Sequence, residues 1–224
     1  MRGWLFILIG CCLLMAGCGQ TPFKVQNLAK TDIDMVSDAH YRETDNLLKQ
    51  LTVKLYKRNP RELHKVSGQT IDRRVAQIFS SPGPLQFPEV PATGTAAIEL
   101  SLTPNYRGDR VFAFMIGLTD MIRESYDYQN DFYLLSELDQ QKLYHSARNI
   151  EIALWRIARS DDGSGRPLIF TNSWQGEKRN LSYERLFGKL IALQDMLATI
   201  TAQKNQRVIK TVAQNVATMA FIPL

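Results

Sequence analysis

The sequence predicts a mainly α-helical fold, a single helical-bundle domain of about six to seven helices. Apolar residues recur at every third or fourth position over most of the chain after residue 31, and one helical stretch near the middle is apolar on every side. Only the stretch near 167–181 has the composition of strands, and a small β-hairpin there is left open as an addition to the bundle.

The first predicted helix runs from Thr31 or Asp32 to about Arg58. Its apolar stripe follows helical spacing and consists of Val36, His40, Thr44, Leu47, Leu51 and Leu55. Asn59-Pro60 ends this helix, and Pro60 can begin a short successor. After a break at 67–68, a further helix of about three turns is predicted from the apolar face formed by Ile71, Val75, Ile78 and Phe79.

Residues 80–94 contain four prolines and two glycines, which exclude regular helix and predict a surface loop. A loop of this length is often functional, so it is a candidate contact surface for an envelope protein partner. The alternative is a spacer held against the surface by Leu85 and Phe87. Residues 95–102 alternate as a strand does, but Ala96-Ala97 and the neighbouring helices favour one or two helical turns.

Asp109 is predicted to cap a helix whose run from Val111 to Leu118 is apolar all round. Such a helix must be surrounded, so this run is predicted to form the centre of the core. Gly117 lowers helix propensity by about 1 kcal/mol relative to alanine, and its presence indicates close approach of a neighbouring helix. The run is less than half the length of about 20 residues that a bilayer span needs.

An aromatic linker at 128–133 is expected to close the core, with a carbohydrate or partner surface as the alternative. Ser136 and Asp139 then resemble a capping box at the start of the next helix. That helix has the apolar stripe Leu143, Ala147, Ile150, Leu154 and Ile157. Three arginines on it are expected to face water: Arg148, Arg156 and Arg159.

The last quarter of the chain starts with a plain turn at 160–165, which lacks the ligand spacing of a calcium loop. Residues 167–174 read as one strand of the hairpin, and Ser182 is predicted to cap the next helix. The stripe of that helix is Tyr183, Leu186, Leu190, Leu193, Leu197 and Ile200. After a polar interruption at 203–206, a final helix is predicted from Val208, Val212, Val216 and Met219.

The N-terminus has the pattern of a secretory signal, because Arg2 precedes an apolar run from Trp4 to Met15 that is too short to span a membrane. The run ends in Met15-Ala16-Gly17-Cys18. These residues resemble the lipobox of bacterial lipoproteins, although leucine is usual where Met15 stands. In that family the cysteine receives a diacylglyceryl thioether, becomes the first residue after cleavage and is N-acylated by a fatty acid such as palmitate.

The resemblance implies a lipoprotein signal peptide over 1–17, lipidation of Cys18 and a lipidated tether over 18–30, followed by one periplasmic domain over 31–224. In this family an aspartate after the cysteine favours retention in the inner membrane. Gly19 stands there instead, which implies the periplasmic face of the outer membrane rather than the inner membrane. The membrane is therefore an expected partner through the anchor at Cys18.

The cysteine count and the net charge limit which kinds of site and partner are expected. Cys11 and Cys12 leave with the signal and Cys18 is consumed by the lipid, so disulfide frameworks, cysteine metal sites and cysteine nucleophiles are excluded. The formal net charge of +5 falls by one with Arg2 and is spread along the chain. Lysines beside a lipid anchor favour an anionic membrane surface, whereas nucleic acid is not an expected partner in the periplasm.

Glu124 followed by Ser125 resembles the catalytic glutamate and serine of soluble lytic transglycosylases, a family that includes many lipoproteins. The resemblance covers only these few residues, because residues 127–131 replace the Gly-Leu-Met-Gln segment that follows in the family. A solvated charge at a helix end is the favoured interpretation of Glu124. No Gly-x-Ser-x-Gly elbow or phosphate-binding glycine loop is present, and no catalytic residue or cofactor site is predicted.

The three histidines, His40, His64 and His145, lie far apart in the sequence and lack a His-Glu-x-x-His arrangement, so no metal site is predicted. His40 falls on the apolar stripe and is expected to be a hydrogen-bonded core histidine. The sequence thus favours a non-enzymatic adaptor or accessory in a cell-envelope assembly. The alternative is a peptidoglycan-acting or lipid- or ligand-binding lipoprotein with a pocket near Glu124.

Overall fold

The computed structural model describes residues 31–133, 138–172, 177–178, 180–211 and 220–224. Within these ranges the fold is mainly helical, as predicted, with seven helices and two isolated β-bridges in place of a sheet. The helices are α1 (Asp32–Arg58), α2 (Pro60–Leu63), α3 (Ile71–Phe79), α4 (Gly94–Ser101), α5 (Arg110–Ser125), α6 (Gln140–Arg159) and α7 (Ser182–Lys204). None of these helices is long and apolar enough to cross a membrane.

Helix α1 begins where predicted, at a capping box in which Thr31 and Asp34 each accept a backbone hydrogen bond from the other. The predicted stripe is confirmed from Thr44 onward, but Val36 is 37% exposed. In this first part of α1 the buried side chains are polar, because groups from distant parts of the chain bind to them. Phe132 donates its N–H to Asp38 at 2.9 Å, and the Lys204 ammonium lies 3.7 Å from Asp34.

Helix α5 is the centre of the core, as predicted, and its residues from Val111 to Leu118 are all buried. It packs against α1, α2, α3, α4 and α6, while α6 and α7 pair with each other and α7 lies on α1. The close approach predicted at Gly117 is confirmed: a Cβ added there would lie 2.5 Å from the carbonyl oxygen of Gly94 and 2.7 Å from the backbone nitrogen of Ile98. Tyr126 and Phe132 are buried and close the core beyond α5.

The boundaries and outer face of α6 differ from the prediction. Asp139 itself caps the helix by accepting from the N–H groups of Gln141 and Lys142, and Ser136 lies outside the described residues. Arg148 and Arg156 do not simply face water, because Arg148 pairs with Asp195 at 2.7 Å and Arg156 with Glu99 at 2.9 Å. Both arginines therefore tie α6 to its neighbours, whereas Arg159 is exposed as predicted.

The prediction of a hairpin near 167–181 is wrong for the residues of this stretch that the structure describes. Between 160 and 172 there is one bridge, Asp161 to Pro167, and no strand. Side chains of the α1 and α2 region occupy the backbone groups that a partner strand needs: Asn59 binds both the N–H and the carbonyl of Phe170, and Arg61 binds the carbonyl of Leu168. Residues 173–176 and 179 lie outside the described ranges.

Ser182 was predicted to be the N-cap of α7, but it is the first residue of the helix. Leu181 occupies the N-cap position and forms no side-chain hydrogen bond there. The predicted final helix is wrong at its start, because residues 205–211 are not helical and Val208 is 87% exposed. Residues 212–219 lie outside the described ranges. The Gln141 side chain binds the backbone of Lys210, and the Asn149 side chain binds that of Ile222, so two side-chain amides of α6 hold Lys210 and Ile222 against this helix.

Candidate functional site: a proline-rich loop held by buried charges

The proline-rich loop (residues 80–94) connects α3 to α4 over the surface of α5. Leu85 and Val90 are buried, and the half-buried ring of Phe87 packs edge-on against Phe112 with 5.1 Å between ring centres. The spacer alternative predicted this packing of Leu85 and Phe87 against the surface. The side chains between these contacts, including Pro88 and Pro91, remain exposed to solvent.

Asp120 of α5 holds the loop at two points, one in its first half and one at its end. Its buried carboxylate accepts the N–H of Leu85 at 2.8 Å and the N–H of Gly94 at 3.1 Å. Burial raises the pKa of Asp120, and the two backbone hydrogen bonds lower it. Displacement of the loop would take two of the donors away from a buried carboxylate and leave the Tyr128 hydroxyl as its remaining hydrogen-bond donor, which is costly for a buried charge. Asp120 therefore fixes the positions of residues 85 and 94 relative to α5.

Arg123 lies one turn after Asp120 and holds the start of the loop. Its buried guanidinium donates to the carbonyl oxygens of Ile78 at 3.1 Å, Ser81 at 3.1 Å and Gly83 at 3.2 Å. Ile78 lies in the last turn of α3, where carbonyl oxygens have no intrahelical partner, and Ser81 and Gly83 follow in the loop. A single cation thus caps α3 and orients the first residues of the loop.

Arg74 of α3 holds the middle of the loop from below. Its guanidinium is fully buried and binds both carboxylate oxygens of Glu89, at 2.6 and 3.0 Å. It also lies 3.8 Å from the centre of the Phe112 ring and 3.3 Å from the carboxylate of Asp109. The side chain of Glu89 is 34% exposed, so the pair joins the interior of the protein to the exposed part of the loop.

Asp109 completes this cluster beneath the loop. It caps α5 by accepting a hydrogen bond from the N–H of Phe112 at 2.9 Å, and its other oxygen accepts one from the Tyr56 hydroxyl at 2.8 Å. Burial raises the pKa of Asp109 to about 6, against the opposing effect of these hydrogen bonds and of Arg74. The charge of the cluster therefore changes in the range between mildly acidic and neutral pH.

A surface groove of about 610 Å³ runs along the loop and is lined by Gln86, Phe87, Pro88, Val90, Pro91, Ala92 and Thr93. None of these lining side chains is titratable. The groove offers apolar, amide and hydroxyl contacts but no acid or base to transfer a proton.

The residues singled out in the sequence lie elsewhere. Glu124 is half-buried in the last turn of α5 and does not line the groove, and Cys18 lies outside the described residues. His40 is half-buried; burial lowers its pKa, and a backbone hydrogen bond with Leu193 opposes this effect. His145 bonds to Gln141 and to the carbonyl of Pro223, which gives it a role in packing the C-terminal segment.

Metal binding receives no support in the described ranges, which contain no group of three His, Cys, Asp or Glu side chains able to hold an ion. Sequence reasoning missed the three anchors Arg74, Asp120 and Arg123. The available signal was the occurrence of Asp120 and Arg123 directly after the all-round apolar run from Val111 to Leu118 of the same helix. No protein-family model, curated protein or solved structure matches the chain, so the assignment of a function depends on the geometry of the loop and its anchors.

Proposed function

We propose that this protein is an outer-membrane lipoprotein, anchored at the periplasmic face through Cys18, whose helical domain is a non-enzymatic adaptor or accessory in a cell-envelope assembly. The proline-rich loop is its contact surface for an envelope protein partner. The lipobox-like residues 15–18 support the anchor, and the geometry of the loop supports the role of the domain.

The observation that carries the adaptor role is the use of three buried charged side chains to hold one exposed loop. Arg74, Asp120 and Arg123 all lie in the interior and all bind atoms of the loop or its flanks. Buried charges are costly unless they are paired and hydrogen-bonded. The three anchors fix the conformation of the loop, and a binding surface benefits from a fixed conformation.

A fixed conformation raises affinity because less conformational entropy is lost when a partner binds. Proline restricts the loop further, since its ring fixes one backbone dihedral angle. The partner would meet Gln86, Pro88 and Pro91 on the outer side, beside the half-buried ring of Phe87. The absence of titratable side chains from the lining of this groove favours binding over catalysis.

Photo-crosslinking in intact cells tests this proposal. A photoreactive amino acid is placed at Gln86 or at Pro91, and control positions at Ala192 and Met196 are exposed on α7 away from the loop. We expect one discrete adduct from the loop positions and none of that mass from the controls. Asp120→Asn, which removes one of the two acceptors for the loop, should weaken the adduct. The same adducts from loop and control positions would contradict the proposal.

A further inference from the structure

A groove at the C-terminal end of α1 is lined by cations. It has a volume of about 270 Å³, and Lys54, Lys57, Arg58 and Lys178 line it together with a single acid, Glu177. Arg58 forms an ion pair with Glu177 and donates to the carbonyl of Asn172 at 3.1 Å. Lys57 is exposed and has no ion pair within the described part of the chain.

A second groove of about 270 Å³ lies beyond α2 and is also lined by cations, namely Arg61, Lys65, Arg107 and Arg110. Its two acids are Glu62 and Asp162. The carboxylate of Glu62 is buried and already engaged, because it accepts from the Lys65 ammonium at 2.6 Å and from the N–H of Arg110 at 2.9 Å. Arg107 is exposed, and no carboxylate pairs with it among the described residues.

The ring of Phe170 joins the two grooves. The guanidinium carbons of Arg58, Arg61 and Arg166 lie 5.9, 5.2 and 5.9 Å from its centre. With Arg166, the two grooves form one basic face that carries eight exposed or half-buried cations and three acids. The ninth cation, Arg110, is buried beneath this face, and its guanidinium donates to four backbone carbonyl oxygens. The whole chain has 27 lysines and arginines against 22 acids, so its positive excess is concentrated on this face.

We infer that this basic face binds an extended phosphate-bearing polymer. Guanidinium groups donate in pairs to phosphate oxygens, and a polymer with repeated charges can follow two neighbouring grooves. A protein partner would be expected to insert apolar side chains or to meet apolar anchors. The exposed large apolar side chains of the described residues are Met35, Val36, Tyr133, Leu181, Met196 and Val208, and none of them lines either groove.

The position of the face disfavours the anchoring membrane as its ligand, a step that rests on the proposed anchor at Cys18. Helix α1 has 27 residues and is therefore about 40 Å long, with the tether at its Thr31 end and the basic face at its Arg58 end. The chain from Cys18 to Thr31 spans at most about 45 Å when fully extended. Docking through the basic face would therefore hold the tether nearly straight, at a cost in conformational entropy.

The test uses the chain from residue 18 onward with Cys18→Ser, which carries no lipid, and fluorescently labelled linear polyphosphate as the probe. We expect binding, measured by fluorescence anisotropy, that weakens steeply as NaCl rises. The triple variant Lys57→Gln, Arg107→Gln, Arg166→Gln removes exposed cations whose side chains form no ion pair in the described structure. It should bind about 100-fold more weakly, because each cation near an anionic surface contributes a factor of about five.

The matched control is Arg42→Gln, Lys189→Gln, Arg207→Gln, which removes the same charge from exposed positions off this face. It should leave the affinity within about threefold. Equal loss in both triple variants, or no binding by the parent, would overturn the inference. Tighter binding to vesicles of anionic phospholipid would assign the face to a membrane, and equal binding of polyglutamate would overturn the choice of phosphate. Because no lipid is present, these outcomes are independent of whether Cys18 is modified in cells.

Discussion

The carbonyl oxygen of Gly94 in α4 occupies the space that a side chain on Gly117 in α5 would need. Because an added Cβ would lie 2.5 Å from that oxygen, α4 can reach its observed position only if residue 117 is glycine. The contact also fixes Gly94, whose N–H is bound by Asp120, so the packing of two helices positions the end of the proline-rich loop.

Gly117→Ala should lower the free energy of unfolding by about 1 to 3 kcal/mol, because the strain of the contact exceeds the gain in helix propensity. The matched control is Gly188→Ala in α7, where nothing lies within 4 Å of the added Cβ. That variant should be more stable than the parent by about 0.5 to 1 kcal/mol. Urea unfolding measures both changes, and a Gly117→Ala protein as stable as the parent would contradict the packing described here.

Asp109→Asn should remove part of the pH dependence of stability. The folded-state pKa of Asp109 is raised from 3.8 to about 6, so the folded state holds this proton more tightly than the unfolded state. The resulting stabilisation is fully present below pH 3.8 and is lost as the pH rises through about 6. Its magnitude is on the order of 2 to 3 kcal/mol.

Asparagine retains the helix cap at position 109, so the two proteins can be compared by urea unfolding at pH 5 and pH 7. We expect the parent to lose more stability than Asp109→Asn between these two values, since only the parent titrates at this position. An identical loss in both proteins would show that Asp109 does not bind a proton in this range.

Asp120→Asn should loosen the proline-rich loop. The change removes one of two charged acceptors, so one of the N–H groups of Leu85 and Gly94 loses its partner, at a cost of about 1 to 3 kcal/mol. We expect faster hydrogen exchange at these two amides and faster proteolysis within 80–94. Asp127→Asn, which alters an exposed ion pair with Lys142, serves as the control and should change stability by less than about 1 kcal/mol.

Glu124→Gln should not change the amount of soluble fragments that the protein releases from peptidoglycan. The neighbouring sequence lacks the remainder of the transglycosylase pattern, and Glu124 does not line the groove beside the loop. Purified parent and variant are incubated with peptidoglycan sacculi, and the release of soluble fragments is measured. Release by the parent that disappears in the variant would replace the adaptor proposal with an enzymatic function.

Local periodicity was sufficient to predict most of the fold. The all-round apolar run in α5 identified the core, and Gly117 indicated the close helix contact, because both signals lie within a few turns of one helix. The failures share a different cause. Val36 is exposed because Asp38, two residues later, faces inward and accepts the N–H of Phe132, far along the chain. The hairpin is absent because Asn59 and Arg61 bind the backbone groups that a partner strand would need.

The same limitation applies to the candidate site. The composition of residues 80–94 identified the loop, but its anchors are long-range contacts. Asp120 reaches back 35 residues to Leu85, and Arg123 reaches back 45 residues to Ile78. Periodicity shows which face of a helix is apolar, but it does not show which distant atoms a buried charge will meet.

The proposed anchoring through Cys18 is central to the account, and cell fractionation of Cys18→Ser tests it most directly. Two or more acyl chains give stable membrane attachment, and no described helix is able to span a bilayer. The parent should sediment with outer membranes after a high-salt wash. Cys18→Ser, exported behind an ordinary cleavable signal, should be recovered as a soluble periplasmic protein with unchanged helical content. If this variant still sedimented with the outer membrane after the wash, attachment through Cys18 alone would be contradicted.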